Sequence, residues 1–476
     1  MMSQDTRVLA LSPTTRVEGH GKVTIHLDEF GNVSHAFFHA TELRGFEKFL
    51  LRMEADRVPA IISRVCGVCS VAHHLASVKA IEDVYRVEVT ETAKKLRELL
   101  LMGQMLSSHA LSLFFLTLPD FYFGVEEDPS KRNIFEIMRR DPEIGKRALF
   151  FISLGGEVIQ TLGGRPIHPV AVVLGGMLHP LSEADRASLL KKVEDAISMA
   201  KKTVLRGKRL FEDHMDEIRR FAVIKTHYMG LTQGGTLNFY DGMIRIIDPD
   251  RRTVTDHNPI EYPSLVEEKT LEWTYAKFSF LQEYGWPAGI LKVNSLARAN
   301  VVDDVPTPLA REEAREFYAK FGRPAHETLL FDYARMIELL YTCERMKELL
   351  EDEEITRRDV RVRVEPREGM GIGVVEAPRG TLVHQYTIDR EGRMRRIHLT
   401  VPTNHNNAAI NMSVKDVAYQ FIRGGKVRPE LLDRVEMVIR AYDPCISCAT
   451  HTANNRYVSQ VEVRDHRGNT IENIYR

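Results

Sequence analysis

The sequence predicts an α+β fold, mainly α: a bundle of long helices with smaller mixed α/β parts at both chain ends. Three observations carry this. Apolar residues recur at helical spacing after Thr90, with Leu96, Leu99, Leu100, Met102, Met105 and Leu106 on one stripe. Alternation of period two flanks Asp28–Asn32 near the start of the chain and returns over 359–401. The length of 476 residues is too great for one small core and fits two to four structural units.

Taken in order, residues 21–40 read as a β-hairpin turning at Asp28-Glu29-Phe30-Gly31-Asn32, followed by a short helix over His73–Tyr85. Thr90 is the expected N-cap of a long helix ending at Pro119. Residues 133–162 read as helix up to Gly163-Gly164. Ser182-Glu183-Ala184-Asp185 resembles a capping box opening a helix to about Arg220. Gly, Asn, Asp and Pro crowd 221–306, an irregular or mixed excursion. Helix returns over 326–352, and 405–423 and 428–440 read as two more helices. The expected organisation is 1–90, 91–220 (helical core), 221–306, 307–358 (helical again), 359–451 and a polar extension, 452–476.

Composition excludes some classes. There are 65 basic and 66 acidic side chains, a net charge of −1, so no general attraction to nucleic acid or an anionic membrane is expected. Five cysteines are too few for a secreted disulfide scaffold. The first twenty residues lack a basic segment followed by an apolar core, and the apolar stretch Leu111–Leu118 is too short to span a bilayer. A cytoplasmic protein without a membrane span is the expectation.

The chemistry concentrates in two cassettes. Arg64-Val65-Cys66-Gly67-Val68-Cys69 is followed by His73, and Asp443-Pro444-Cys445-Ile446-Ser447-Cys448 by His451. Each C-x-x-C can share a metal or form a redox disulfide. Four thiolates could close a structural zinc site, although zinc pairs are usually separated by roughly 12–20 residues and these lie at opposite ends of the chain. Spacing alone leaves zinc, a softer metal and two separate disulfides open.

The two cassettes resemble the signature motifs of nickel–iron hydrogenase large subunits. Arg16-Val17-Glu18-Gly19-His20, Arg44-Gly45-Phe46-Glu47, Gly163-Gly164-Arg165-Pro166-Ile167-His168-Pro169 and Glu376-Ala377-Pro378-Arg379-Gly380 also resemble family motifs, in family order. The resemblance implies the NiFe hydrogenase large-subunit fold and reversible heterolytic splitting of H2 to protons and electrons. It implies nickel held by Cys66, Cys69, Cys445 and Cys448, with Cys69 and Cys448 also bridging an iron that carries one CO and two CN ligands. Four thiolates and two cyanides outweigh two divalent metals, so Arg379 is the expected compensating charge, with Thr403 on the other cyanide. Cys445 is the expected proton acceptor and Glu18 the first relay. His73 is expected on a bridging sulfur, and Asp443 to orient Arg379 or cap its turn. Glu47, His451 and the Leu399 carbonyl correspond to a magnesium or iron site. Within the family the sequence leans to the cytosolic bidirectional branch, most like F420-non-reducing, heterodisulfide-reductase-associated enzymes. Asn404-His405-Asn406-Asn407 departs from the tryptophan-containing stretch of another branch.

After four cysteines only Cys343 remains, read as packing. An iron–sulfur cluster normally needs about four. Electrons must therefore leave through a partner, which the resemblance identifies as the iron–sulfur small subunit, feeding heterodisulfide reductase with its flavin/iron–sulfur subunits or an NAD(P)-linked module. Residues 452–476 resemble an extension that a maturation endopeptidase removes between His451 and Thr452. The competing expectation is a zinc-stapled scaffold, or a respiratory-complex subunit sharing the fold without catalysis.

Overall fold

A computed structural model describes residues 8–450, together with the backbone of residues 460–464 and 470–475. The N-terminal hairpin forms as expected, Gly21–Leu27 against Val33–Ala40, and Val8–Leu11 adds a third antiparallel strand. The turn closes because Asp28 Oδ1 accepts from the Phe30 and Asn32 amides at 3.0 and 2.8 Å. Val23, Ile25 and Leu27 face the core.

Four long helices make the bundle: Glu91–Ala110, Pro142–Gly163, Glu183–Asp213 and Leu330–Glu351. Leu330–Glu351 packs against both Glu183–Asp213 and Glu91–Ala110, and is buried on nearly every side. Caps read from the sequence hold. Thr90 Oγ1 accepts from Ala93 N at 3.2 Å, and Ser182 Oγ from Asp185 N at 3.1 Å.

Three boundaries differ from expectation. The first long helix does not stop at Pro119; it passes through a π-helical stretch, Leu111–Thr117, into Leu118–Phe123. Pro119 sits in the first turn of that last segment, where its missing N–H costs little. The helix expected over 133–162 is two, Ile134–Arg140 and Pro142–Gly163, because the residue before a proline avoids helical ψ and Asp141 adopts φ −138°, ψ 83°. The helix expected to reach Arg220 ends at Asp213, with a further turn at Met215–Ile218. The run Glu91–Phe123 is long and apolar enough to cross a membrane by length and composition, which the sequence reading missed, but 78% of its apolar window is buried inside the protein.

The mixed excursion contains a five-stranded sheet built on His227–Gln233 and Met243–Ile247, and the helix Ser295–Val301. Near the C-terminus, Gly369–Ala377, Gly380–Ile388 and Met394–Thr400 form an antiparallel meander. Ala377 pairs with Gly380, so Pro378-Arg379 is a two-residue turn. The meander lies on the helix Ser70–Tyr85. A Cβ on Gly373 would stand 2.0 Å from the Ala76 carbonyl oxygen, so only glycine admits this approach. Helices Pro402–Phe421 and Pro429–Tyr442 then lead to the second cassette. Beyond it, Gln460–Arg464 pairs antiparallel with Thr470–Tyr475. A large hydrophobic cluster runs from Val23 to Ala449 and includes all four cassette cysteines.

Candidate metal centre

The two cassettes meet. Cys66 follows the 3₁₀ turn Ser63–Val65 in extended conformation, and Cys69 caps the N-terminus of the helix Ser70–Tyr85. Cys445 caps the short helix Ile446–Ala449, which carries Cys448. Their sulfurs lie 3.2 Å apart for Cys69–Cys448, 3.3 Å for Cys66–Cys445 and 2.7 Å for Cys445–Cys448. All four are buried and free of disulfides. Among the described residues they form the one group whose ligand atoms converge for a metal, all within 4.8 Å of one another. Glu18 joins the cluster through a parallel bridge to Cys445.

Burial pushes the Cys445 and Cys448 thiols well above their ordinary range, whereas hydrogen bonding from Cys445 holds Cys66 well below it. So dense a group of buried sulfurs keeps protons unless cations replace them. Such a donor set suits soft or borderline metals.

Arg379 stands beside it. Its Nε donates to the Asp443 carbonyl at 2.7 Å and its Nη2 to Asp443 Oδ1 at 3.0 Å. Burial opposes its charge, but Asp443 and the cysteine sulfurs hold the guanidinium well above its usual value. Its Nη1 is buried with no hydrogen-bond partner among the described residues. A buried donor left unmatched in this way calls for an acceptor. Asp443 can offer both oxygens because it closes the helix Pro429–Tyr442 in left-handed conformation, φ 48°. It thus both caps the turn and orients Arg379.

Thr403, in the first turn of Pro402–Phe421, accepts from Cys445 N at 2.8 Å, leaving its own proton for another acceptor. His73 Nε2 is 3.3 Å from Cys448 Sγ. Glu18 Oε2 accepts from Ser447 N at 3.1 Å. Burial and the Cys66 sulfur raise its carboxyl above the usual range. Glu47 and Leu399 come together, with Leu399 N donating to Glu47 Oε1 at 2.8 Å, and Lys277 and His398 beside them. His451 and Thr452 lie outside the described residues. Cys343 is fully buried in the helix Leu330–Glu351, pushed far above the thiol range by desolvation, consistent with packing.

Sequence reasoning missed two groups. His73 Nδ1 meets His384 Nε2 at 3.1 Å, His384 Nδ1 meets the Tyr386 hydroxyl at 2.8 Å, and Tyr386 donates to Ser77 at 3.0 Å. Arg298, wholly buried, is gripped by Glu338 and Glu376 and donates to the Ala377 and Pro378 carbonyls, holding the turn that presents Arg379. Of these, Glu376 lay in the motif that carries Arg379 and His73 was expected on a bridging sulfur, while His384 follows Arg379 by five residues.

Comparison with known proteins agrees with this geometry. The family model described as nickel-dependent hydrogenase matches residues 44–127 and 251–451, and one described as HoxL-like matches 8–43. A chain of the vhu F420-non-reducing hydrogenase of Methanocaldococcus jannaschii is 42% identical over 86% of this chain and 98% of its own length. The NAD-reducing hydrogenase HoxS subunit beta of Cupriavidus necator is 37% identical over 98% of this chain and 99% of its own. A crystal structure of an NAD+-reducing [NiFe]-hydrogenase superposes with TM-score 0.91 at 36% identity, covering 94% of this chain and all of that one. A [NiFeSe]-hydrogenase from Dm. baculatum, at 19% identity and TM-score 0.78, shares the fold. With the cysteines converged and these matches across most of its length, the chain belongs to the nickel-dependent hydrogenase family as a large subunit.

Proposed function

We propose that the chain splits H2 reversibly into protons and electrons at a nickel–iron centre that Cys66, Cys69, Cys445 and Cys448 would hold, with Cys69 and Cys448 shared between the two metals. The observation that carries this is four buried sulfurs from both chain ends within 4.8 Å, facing a charged arginine with an unmatched Nη1. The residues fit the group: thiolates suit the metals, and two hydrogen-bond donors remain for small anionic ligands. When bound, the nickel–iron group would supply the Lewis acidity that polarises H2 and a store for its two electrons.

The chain's own residues do the rest. Arg379 would compensate the excess negative charge and offer its unmatched Nη1 to one cyanide, and Thr403 would donate its hydroxyl proton to the other. CO would complete the set of diatomic ligands. His73 hydrogen-bonds the Cys448 sulfur. Cys445 Sγ would accept the first of the two protons released from H2 and pass it to the adjacent Glu18 carboxyl, and the second proton would follow by the same route once Cys445 is free again. Burial keeps Glu18 easily protonated, which suits a carboxylate that receives and releases protons. The surrounding core excludes water, so the proton leaves only through such groups.

Glu47, the Leu399 carbonyl and His451 form the proposed magnesium or iron site. An endopeptidase cleaves between His451 and Thr452; the family match, which ends at 451, supports that boundary. With one cysteine to spare, the electrons pass to an iron–sulfur small subunit. The acceptor beyond is heterodisulfide reductase or an NAD(P)-linked module, in line with the F420-non-reducing and NAD-reducing relatives. A cytoplasmic location belongs to the same proposal.

Cys445→Ser in the whole complex tests the reading: H2 oxidation disappears. Full activity in that variant would remove the proposed role. Glu18→Gln keeps the metals and slows exchange of D2 gas with water; an unchanged rate would exclude Glu18 as relay.

A further inference from the structure

We propose that Arg16, Asp120 and Arg440 form a buried clamp that sets Glu18 against Cys445, making them positioning residues for proton transfer. This rests on the Glu18 relay proposed above. Residues 14–19 belong to no helix or strand ladder, so regular structure does not place Glu18. Among the described residues its hydrogen bonds run to the second cassette: Ile446 N donates to the Glu18 carbonyl at 3.1 Å and Ser447 N to its carboxylate. Something must fix the strap that precedes it.

Arg440 does so from the last turn of the helix Pro429–Tyr442. Its Nε donates to the Thr15 carbonyl at 3.1 Å and its Nη2 to Thr15 Oγ1 at 2.9 Å. One turn earlier on the same helix, Glu436 accepts from Thr15 N at 2.7 Å and Thr15 Oγ1 at 2.9 Å, and pairs with Arg440. Arg440 Nη1 then donates to Asp120 Oδ2 at 2.9 Å, and the other Asp120 oxygen pairs with Arg16. Arg16 Nη1 reaches the Leu116 carbonyl at 2.7 Å.

The consequence is geometric. The helix that grips the strap also ends three residues before Cys445, so one rigid element sets both proton donor and acceptor. Arg16 is held at φ 55°, a left-handed conformation costly for a residue with a side chain. Asp120, 1% exposed, sits between Arg16 and Arg440, with Arg132 3.6 Å away and tied to Asp433. Without its charge, mutually repelling arginines lose the anion between them and Arg16 is free to leave that conformation. Glu18, two residues on, moves with it. Proton transfer needs hydrogen-bond reach, and a shift of about 1 Å can cost as much as a hundredfold.

The test uses the assembled enzyme. Asp120→Asn should lower D2–water exchange roughly tenfold or more, with nickel and iron content and the infrared bands of the metal-bound diatomics unchanged. Asp120→Asn added to Glu18→Gln should cause no further loss, because the clamp acts through Glu18. Wild-type exchange in Asp120→Asn would overturn the proposal, as would a further fall in the Glu18→Gln background. If Asp120→Asn does not assemble, Arg440→Lys keeps the charge but loses the fork between Thr15 and Asp120, and the same outcomes decide. Glu18→Gln alone judges the relay, so failure of the relay and failure of the clamp are read separately.

Discussion

Arg298→Met removes the cation that two buried carboxylates share. Arg298 Nε and Nη2 each donate to Glu338 at 2.6 Å, and Nη1 donates to Glu376 at 2.7 Å. Burial alone would raise Glu338, but Arg298 chiefly, with His109 beside it, draws it down to about 2, from an ordinary 4.5. A shift of that size on a fully buried group corresponds to about 3 kcal/mol, at roughly 1.4 kcal/mol per unit. Breaking a buried pair costs about 3–5 kcal/mol, in agreement. The sign follows from linkage. The depressed carboxyl stabilises the fold fully above pH 4.5, and the contribution is lost as pH falls toward 2. At pH 7 the variant should therefore lose about 3 kcal/mol. Without the arginine, burial lifts Glu338, so protonation relieves the variant and its deficit should shrink on acidification from about pH 7.5 to 5.5. Urea unfolding followed by circular dichroism at both pH values measures this. A loss below about 1 kcal/mol, or a deficit that grows on acidification, would refute the reasoning. The Ala377 and Pro378 carbonyls also lose their donor, so Arg379 should be misplaced and H2 oxidation should fall with stability.

Other outcomes follow from single residues. A Cβ on Gly19, at φ 84°, would stand 2.9 Å from Ile446 Cβ and Ser447 N; Gly19→Ala should cost about 1–2 kcal/mol of backbone strain and slow D2–water exchange, checked by thermal melting and mass spectrometry of the gas. Burial pushes His74 and His405 down to about 4, so both stay neutral in the fold while the unfolded chain charges below about 6.5. Stability drops as pH falls from 6.5 to 4, offset by Asp332, which burial pushes up to about 7. His74→Gln should flatten the stability–pH slope there by about 1.4 kcal/mol per unit, read from urea midpoints. Arg379→Lys cannot donate at both Asp443 oxygens and the metal side, so the cyanide infrared bands should shift; unchanged bands would exclude contact with those ligands.

What the sequence made legible was local or motif-bound. Thr90 and Ser182 announced their helices because a cap acts within three residues. The hairpin at Asp28–Asn32 was legible for the same reason. Asp141-Pro142 carried a readable break that the apolar periodicity on both sides obscured. The π-helical stretch at Leu111–Thr117 left no mark in composition, because its register is set by packing. Cysteine meeting cysteine across nearly the whole chain was legible only through the two cassettes and their flanking motifs. The Arg298–Glu338–Glu376 cluster joins residues 40 and 78 positions apart, and only Glu376 lay in a readable motif; Arg298 and Glu338 are ordinary charged residues in sequence. The Arg16–Asp120–Arg440 clamp was hidden likewise, its members separated by about a hundred residues or more.

Metal analysis and infrared spectroscopy of the purified complex test the central claim most directly. One nickel per copy of this chain, with bands of metal-bound cyanide and carbon monoxide that vanish in Cys445→Ser, is the predicted result. One zinc per chain and no such bands would contradict it and make the four sulfurs a structural staple.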